Sequence, residues 1–83
     1  MKVTIKLYGI LRRYRPAQLP GARHQTFELE IEDSMSVVEL SKQLGIDSGF
    51  VAGAAVNGES VQLEAVVREG DIVSFFPPVA GGS

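Results

Sequence analysis

Asp71-Ile72-Val73-Ser74-Phe75-Phe76-Pro77-Pro78-Val79-Ala80-Gly81-Gly82-Ser83 decides how this chain is read. Its first half alternates as a strand does, with Val73 and Phe75 on one face and Ile72, Ser74 and Phe76 on the other. Val73 and Phe75 are expected in the core, leaving Ile72 and Phe76 outward beside Tyr8. The second half carries no charge and no large side chain. Pro77 and Pro78 hold its root extended, and Gly81 and Gly82 leave its backbone bare. Residues 1–76 are therefore expected to form one domain and residues 77–83 an extended tail. Most domains end in a frayed polar segment. A smooth thread on a strongly apolar strand instead suits entry into a slot in another protein, where it would deliver the carboxyl group at its end.

The other strongly apolar strand is Lys2 to Tyr8, with Val3, Ile5 and Leu7 on one face and Lys2, Thr4, Lys6 and Tyr8 on the other. Two such strands suit adjacent central places in a sheet. Gly9 ends the first strand, Ile10 to Tyr14 suits a helical turn that Pro16 stops, and Pro20-Gly21 marks a further turn. Residues 9–24 thus read as a long connection. Gln25 to Glu32 alternates again, with Phe27, Leu29 and Ile31 inward and Glu28, Glu30 and Glu32 outward. Lys2 and Lys6 facing three glutamates favours antiparallel pairing with the first strand.

Ser36-Val37-Val38-Glu39 is a capping box, predicting a helix to about Leu44 with Val37, Leu40 and Leu44 on one face and Gly45 at its left-handed end. Two turns of helix need a sheet to hold them. Asp47-Ser48-Gly49 predicts a turn or short 3₁₀ piece. Val51 to Val56 predicts a strand of mostly small residues, Asn57-Gly58 a type I′ hairpin turn and Glu59 to Gln62 a short edge strand. Arg68 to Asp71 turns the chain into its last strand. One helix covers only one sheet face. The expected fold is therefore α+β, a mixed sheet of about five strands with one main helix on one face: the β-grasp, or ubiquitin-like, arrangement.

Composition narrows the function. In 83 residues there is no cysteine and one histidine, His24. Disulfides and thiolate metal sites are excluded, and no metal site is expected. The missing cysteine fits a reducing, cytoplasmic setting. A net charge of −2 argues against nucleic acid, which needs a basic face. The basic residues Arg12, Arg13 and Arg15 cluster around Tyr14; a solvated loop is the expected reading of that cluster, with an anion-binding patch as the alternative. Met1 leads straight into the first strand with no signal-peptide pattern. No apolar run is long enough to cross a membrane, so none is expected as a partner.

Val56-Asn57-Gly58, Glu69-Gly70-Asp71 and Phe75-Phe76-Pro77-Pro78-Val79-Ala80-Gly81-Gly82, in this layout, resemble the small sulfur-carrying subunit of molybdopterin synthase, in the MoaD/ThiS family. Tyr8-Gly9-Ile10-Leu11-Arg12 resembles the segment after that family's first strand, whereas the loop from Arg15 to Gln25 is less typical of it. The resemblance implies a chain that is not catalytic alone and binds no cofactor itself. An E1-like adenylyltransferase would use ATP to adenylate the carboxylate of Gly82, with Gly81 beside it. Sulfur would then replace AMP to give a thiocarboxylate, and the large catalytic subunit of the synthase would receive the tail and pass the sulfur to a precursor pterin. The residues agree with this chemistry. Without cysteine the chain cannot hold a persulfide, and glycine brings no Cβ into a narrow site. Residues 77–82 can reach about 20 Å when extended.

The expected partner surface is Tyr8, Ile72 and Phe76 with the stem Pro77, Pro78, Val79 and Ala80. The same family also supplies sulfur for the thiazole ring of thiamine, and the Phe-Phe-Pro-Pro stem favours the molybdopterin role. A ubiquitin-like protein modifier and an inert binding module are the readings from other classes. Ser83 departs from the family's terminal glycine, so Gly82 is expected to become the reactive end only after Ser83 is removed.

Overall fold

The computed structural model describes residues 1–78. Its centre is built by the two strands that alternate most cleanly. β1 (Lys2–Leu7) and β5 (Ile72–Phe76) lie side by side and parallel, with Thr4 opposite Ile72 and Leu7 opposite Phe75. β2 (Phe27–Glu30) pairs antiparallel with the outer edge of β1, and β3 (Gly53–Val56) pairs antiparallel with the other edge of β5. β4 (Glu59–Val61) closes the far edge, so the sheet runs β2-β1-β5-β3-β4. The mixed five-stranded sheet with one α-helix is the β-grasp expected from the sequence.

One face of this sheet holds the core. Val3 and Ile5 of β1 and Val73 and Phe75 of β5 are fully buried, together with Val37 and Leu40 of α1 (Val37–Gln43). Burying a side chain of this size is worth about 1.5–3 kcal/mol, so a helix of two turns is stable here through the sheet beneath it. Leu44 is half-buried and continues the same apolar face. Ser41, polar yet 1% exposed, was not foreseen; its hydroxyl donates back to the carbonyl of Val38 at 2.7 Å, which removes the cost of burying it.

The start of α1 accounts for every backbone donor that a helix N-terminus leaves open. Ser36 N–H donates to Glu39 Oε1 at 3.0 Å, and Glu39 N–H donates to Ser36 Oγ at 3.2 Å, completing the expected capping box. Val37 and Val38 N–H donate to the carbonyls of Ala65 and Leu63, both at 2.9 Å. The segment 62–67, of which the sequence assigned only Gln62 to an element, is therefore a strap across the helix entrance. Val67 fixes it, being fully buried with its N–H on the carbonyl of Met35. The bonds that Glu39 accepts from the Ser36 backbone and hydroxyl hold its carboxyl below the ordinary range.

The turns are set by the chain's glycines. Asn57 and Gly58 both have positive φ, 53° and 87°, as a type I′ hairpin requires, and Gly45 ends α1 at φ 83°. The predicted strand from Gln25 to Glu32 shortens to Phe27–Glu30, although Ile31 remains buried as expected. Of the predicted cross-strand charge pairs, Lys2 meets Glu28 at 3.7 Å, whereas Lys6 instead lies over the Tyr8 ring at 5.1 Å.

Candidate functional site

The tail leaves the domain where two parallel strands end together. Because β1 and β5 run the same way, their C-terminal ends share one edge of the molecule, and Tyr8 N–H donates to the carbonyl of Phe75 at 3.3 Å. Alternation turns Tyr8 and Phe76 to the face away from the helix. Their rings stack at a centroid distance of 4.8 Å and an interplanar angle of 22°. Lys6, one turn of the pleat earlier, places its ammonium over the same Tyr8 ring. The expected division of β5 holds: Val73 and Phe75 are fully buried, while Phe76 is 37% exposed.

The backbone fixes this root from both sides. On one side, Ala52 N–H donates to the carbonyl of Phe76 at 2.8 Å. On the other, Gly9 turns the chain at φ 55°, and a Cβ there would lie 2.9 Å from Pro77 Cγ. A side chain at position 9 would therefore push directly on the first residue of the stem. Glycine here lets the stem leave flush against the end of β1.

Ile72 is exposed, as expected, and on the same face as Phe76. It does not join the root. Four residue steps along the strand separate the two positions by roughly 13 Å, and half-buried Lys6 and Ser74 face each other between them. Ile72 is instead tied to the β3–β4 turn. Its N–H donates to Asn57 Oδ1 at 2.9 Å and its carbonyl accepts from Asn57 N–H at 2.8 Å. The single patch expected from alternation is thus two: an aromatic root at Tyr8, Phe76 and Pro77, and a separate apolar spot at Ile72.

Two exposed apolar residues that the sequence reading did not single out flank the root. Ile10, 54% exposed, comes directly after Gly9, and Phe50 precedes by two residues the Ala52 that binds the Phe76 carbonyl. The usable signal was in the predicted turn after β1, which buries only Leu11 and so leaves its apolar neighbour outward. Pro78 is exposed. The expected site residues Val79, Ala80, Gly81 and Gly82, together with Ser83, lie outside the described residues. Among the described residues no group of three His, Cys, Asp or Glu side chains is placed to hold a metal ion, and no helix is long and apolar enough to cross a membrane.

A model of the ThiS family matches residues 6–82 of the chain. No significant match was found among curated proteins. Among solved structures, the putative molybdopterin converting factor subunit 1 from Pyrococcus furiosus is 25% identical with a TM-score of 0.65, covering 94% of this chain and 98% of that one. SAMP1 from Haloferax volcanii is 20% identical at a TM-score of 0.64, covering 99% and 100% of the two chains. Molybdopterin-converting factor from Helicobacter pylori 26695, solved as a complex of subunits 1 and 2, gives 22% identity and a TM-score of 0.56 over 99% and 100%. The last two likenesses speak to the fold alone.

Proposed function

The chain belongs to the ThiS family, the ThiS/MoaD-type sulfur carriers, and from that premise we propose that it is the sulfur-donating small subunit of a molybdopterin synthase. The reactive group is the carboxyl of Gly82. An E1-like enzyme joins it to the α-phosphate of ATP with loss of pyrophosphate. A sulfur donor then attacks the acyl carbon and AMP leaves, giving a thiocarboxylate. A large catalytic subunit takes the tail into its active site, where the sulfur passes to a precursor pterin. The domain contributes no acid, base or metal to these steps. It presents the tail and docks.

The observation that carries this reading is the partly exposed Tyr8–Phe76 stack at the point where the Pro77-Pro78 stem departs. A stiff stem rooted beside a partly exposed aromatic pair lets a partner grip the domain and the thread at once. The Phe75-to-Gly82 stem and the likeness to the Pyrococcus protein favour a molybdopterin role over a thiamine one. Adenylation calls for a form whose last residue is Gly82, since a serine beyond it adds a side chain and moves the carboxyl roughly 3.3–3.6 Å, more than a positioned reaction tolerates.

The test compares chains ending at Gly82 and at Ser83, each with ATP and an E1-like adenylyltransferase. The Gly82 form should support pyrophosphate exchange by the enzyme and then gain, on its C-terminal peptide, the mass difference between sulfur and oxygen. The loaded form should convert precursor pterin with the large subunit. Sulfur passing instead to a thiazole synthase, with no pterin product, would assign the thiamine role. Thiocarboxylate on Ser83 itself would overturn the assignment to Gly82.

A further inference from the structure

Four of the chain's five arginines, Arg12, Arg13, Arg15 and Arg23, line one cavity of about 270 Å³ in the connection between β1 and β2. No carboxylate lines it. The two ion pairs among the described residues, Met1 with Glu30 and Lys2 with Glu28, involve none of these guanidinium groups. We propose that this cavity is a binding site for a small oxyanion of the phosphate class, either free phosphate or pyrophosphate or the phosphate end of an ester.

Four like charges around one hollow form a local positive field that solvent only partly screens, with Arg12, Arg13 and Arg23 exposed and Arg15 half-buried, and the loop is built to keep them there. Leu11, fully buried, pins the 3₁₀ turn Gly9–Tyr14 that carries Arg12 and Arg13. Arg15 is clamped, its Nη1 donating to the carbonyl of Leu19 at 3.2 Å and its Nη2 to that of Pro20 at 2.6 Å. Arg23 sits in a turn closed by Gln25, whose N–H reaches the Ala22 carbonyl at 3.0 Å and whose Oε1 accepts from Ala22 N–H at 2.8 Å. Gly21, at φ 102°, lets these two pieces close. A Cβ there would collide with Gln25 Oε1 and lie 3.2 Å from Arg15 Nη2.

Arg15 is further held in place by the Phe27 ring, over which its guanidinium lies at 5.7 Å. Arg15 Nε is the buried side-chain nitrogen or oxygen that lacks a hydrogen-bond partner among the described residues. Arginine suits the task better than lysine because its planar fork meets phosphate oxygens two at a time. The volume lies just below the roughly 300 Å³ at which sites for drug-sized ligands begin, so it has room for a phosphate or pyrophosphate group. The net charge of the whole chain is −2, so the site is a local feature of the loop and not part of a general basic surface.

The test is a two-dimensional NMR titration of the 83-residue chain with sodium phosphate, sodium pyrophosphate and AMP, at ionic strength matched with sodium chloride. Saturable shifts confined to the amides of residues 10–25 are expected. The doubly substituted chain Arg13→Gln, Arg23→Gln should bind about tenfold more weakly, or about 1.4 kcal/mol, with an unchanged melting temperature because both side chains are exposed. The doubly substituted chain Lys42→Gln, Arg68→Gln loses the same charge outside the cavity and should bind within about twofold of the parent. AMP binding as tightly as phosphate identifies an ester-tolerant site, and binding of the inorganic ions alone identifies a closed one. Shifts that never saturate, or an equal loss in the two double variants, overturn the proposal.

Discussion

The two ends of β5 carry the same kind of residue and use it differently. At the start, Ile72 is exposed on a backbone held twice by Asn57 and backed by Asp71, whose Oδ1 accepts from Asn57 Nδ2 at 2.9 Å and whose Oδ2 accepts from Arg68 N–H at 2.8 Å. At the finish, Phe76 is less exposed, stacked on Tyr8, and joined at once to the stem. The first end is locked by polar side chains that stitch two turns together; the second ends in an apolar ring that Tyr8 covers only in part. Exposure alone does not mark a docking residue. On the proposed function, a docking residue would be marked by exposed apolar surface held in place beside the segment it serves, here the Pro77-Pro78 stem.

The comparison can be attacked at its foundation first. Phe75→Ala removes the fully buried ring between the two ends and should cost about 3–5 kcal/mol in chemical denaturation, erasing both ends together. A loss below about 1 kcal/mol would mean that β5 does not anchor the root. Next comes the locked end. Asn57→Ala deletes both side-chain bonds and places alanine at φ 53°, so a stability loss of about 1–3 kcal/mol is expected with partner affinity of the folded protein unchanged. Third is the open end. Phe76→Ala should weaken binding of the large subunit or the activating enzyme by more than about 1 kcal/mol, with little change in melting temperature, whereas Ile72→Ala should alter binding by less than about 0.5 kcal/mol. Equal binding losses for Ile72 and Phe76 would restore a single continuous patch.

The smallest effect is a control remote from both ends. Glu39, whose folded-state carboxyl is held low by its Ser36 bonds, adds stability that is complete above its unfolded pKa and is lost as pH falls through its lower folded value. Glu39→Gln should therefore flatten the acid limb of the stability curve slightly and leave the binding contrast between Ile72 and Phe76 intact. A change in that contrast would show that the helix entrance feeds into the docking face.

Elements governed by neighbours in sequence were legible from the residues alone. Ser36 and Glu39 cap α1, Asn57-Gly58 makes the hairpin, and the alternation of β5 assigns Val73 and Phe75 to the core. Each of these rests on a local rule with a short period. What the sequence did not reveal depends on distances across the fold. Alternation places Ile72 and Phe76 on one face but says nothing of the Lys6–Ser74 step between them. The 62–67 strap has no periodicity because its role is to accept hydrogen bonds from α1. Arg23 joins the other arginines only after Gly21 closes the loop, and no spacing rule encodes that closure.

The parallel pairing of β1 and β5 has a mechanical consequence. A partner that draws on the stem pulls at the Phe76 end of β5, while the resistance is anchored through Met1, whose carbonyl accepts from Ile31 N–H at 2.7 Å. In a parallel pair those points of attack lie at opposite ends of the ladder. The load falls on all the inter-strand bonds together, in shear, and none can be peeled away ahead of the rest. A pull on the Pro77-Pro78 stem would thus be met by the centre of the sheet as a whole and not by its last bond alone.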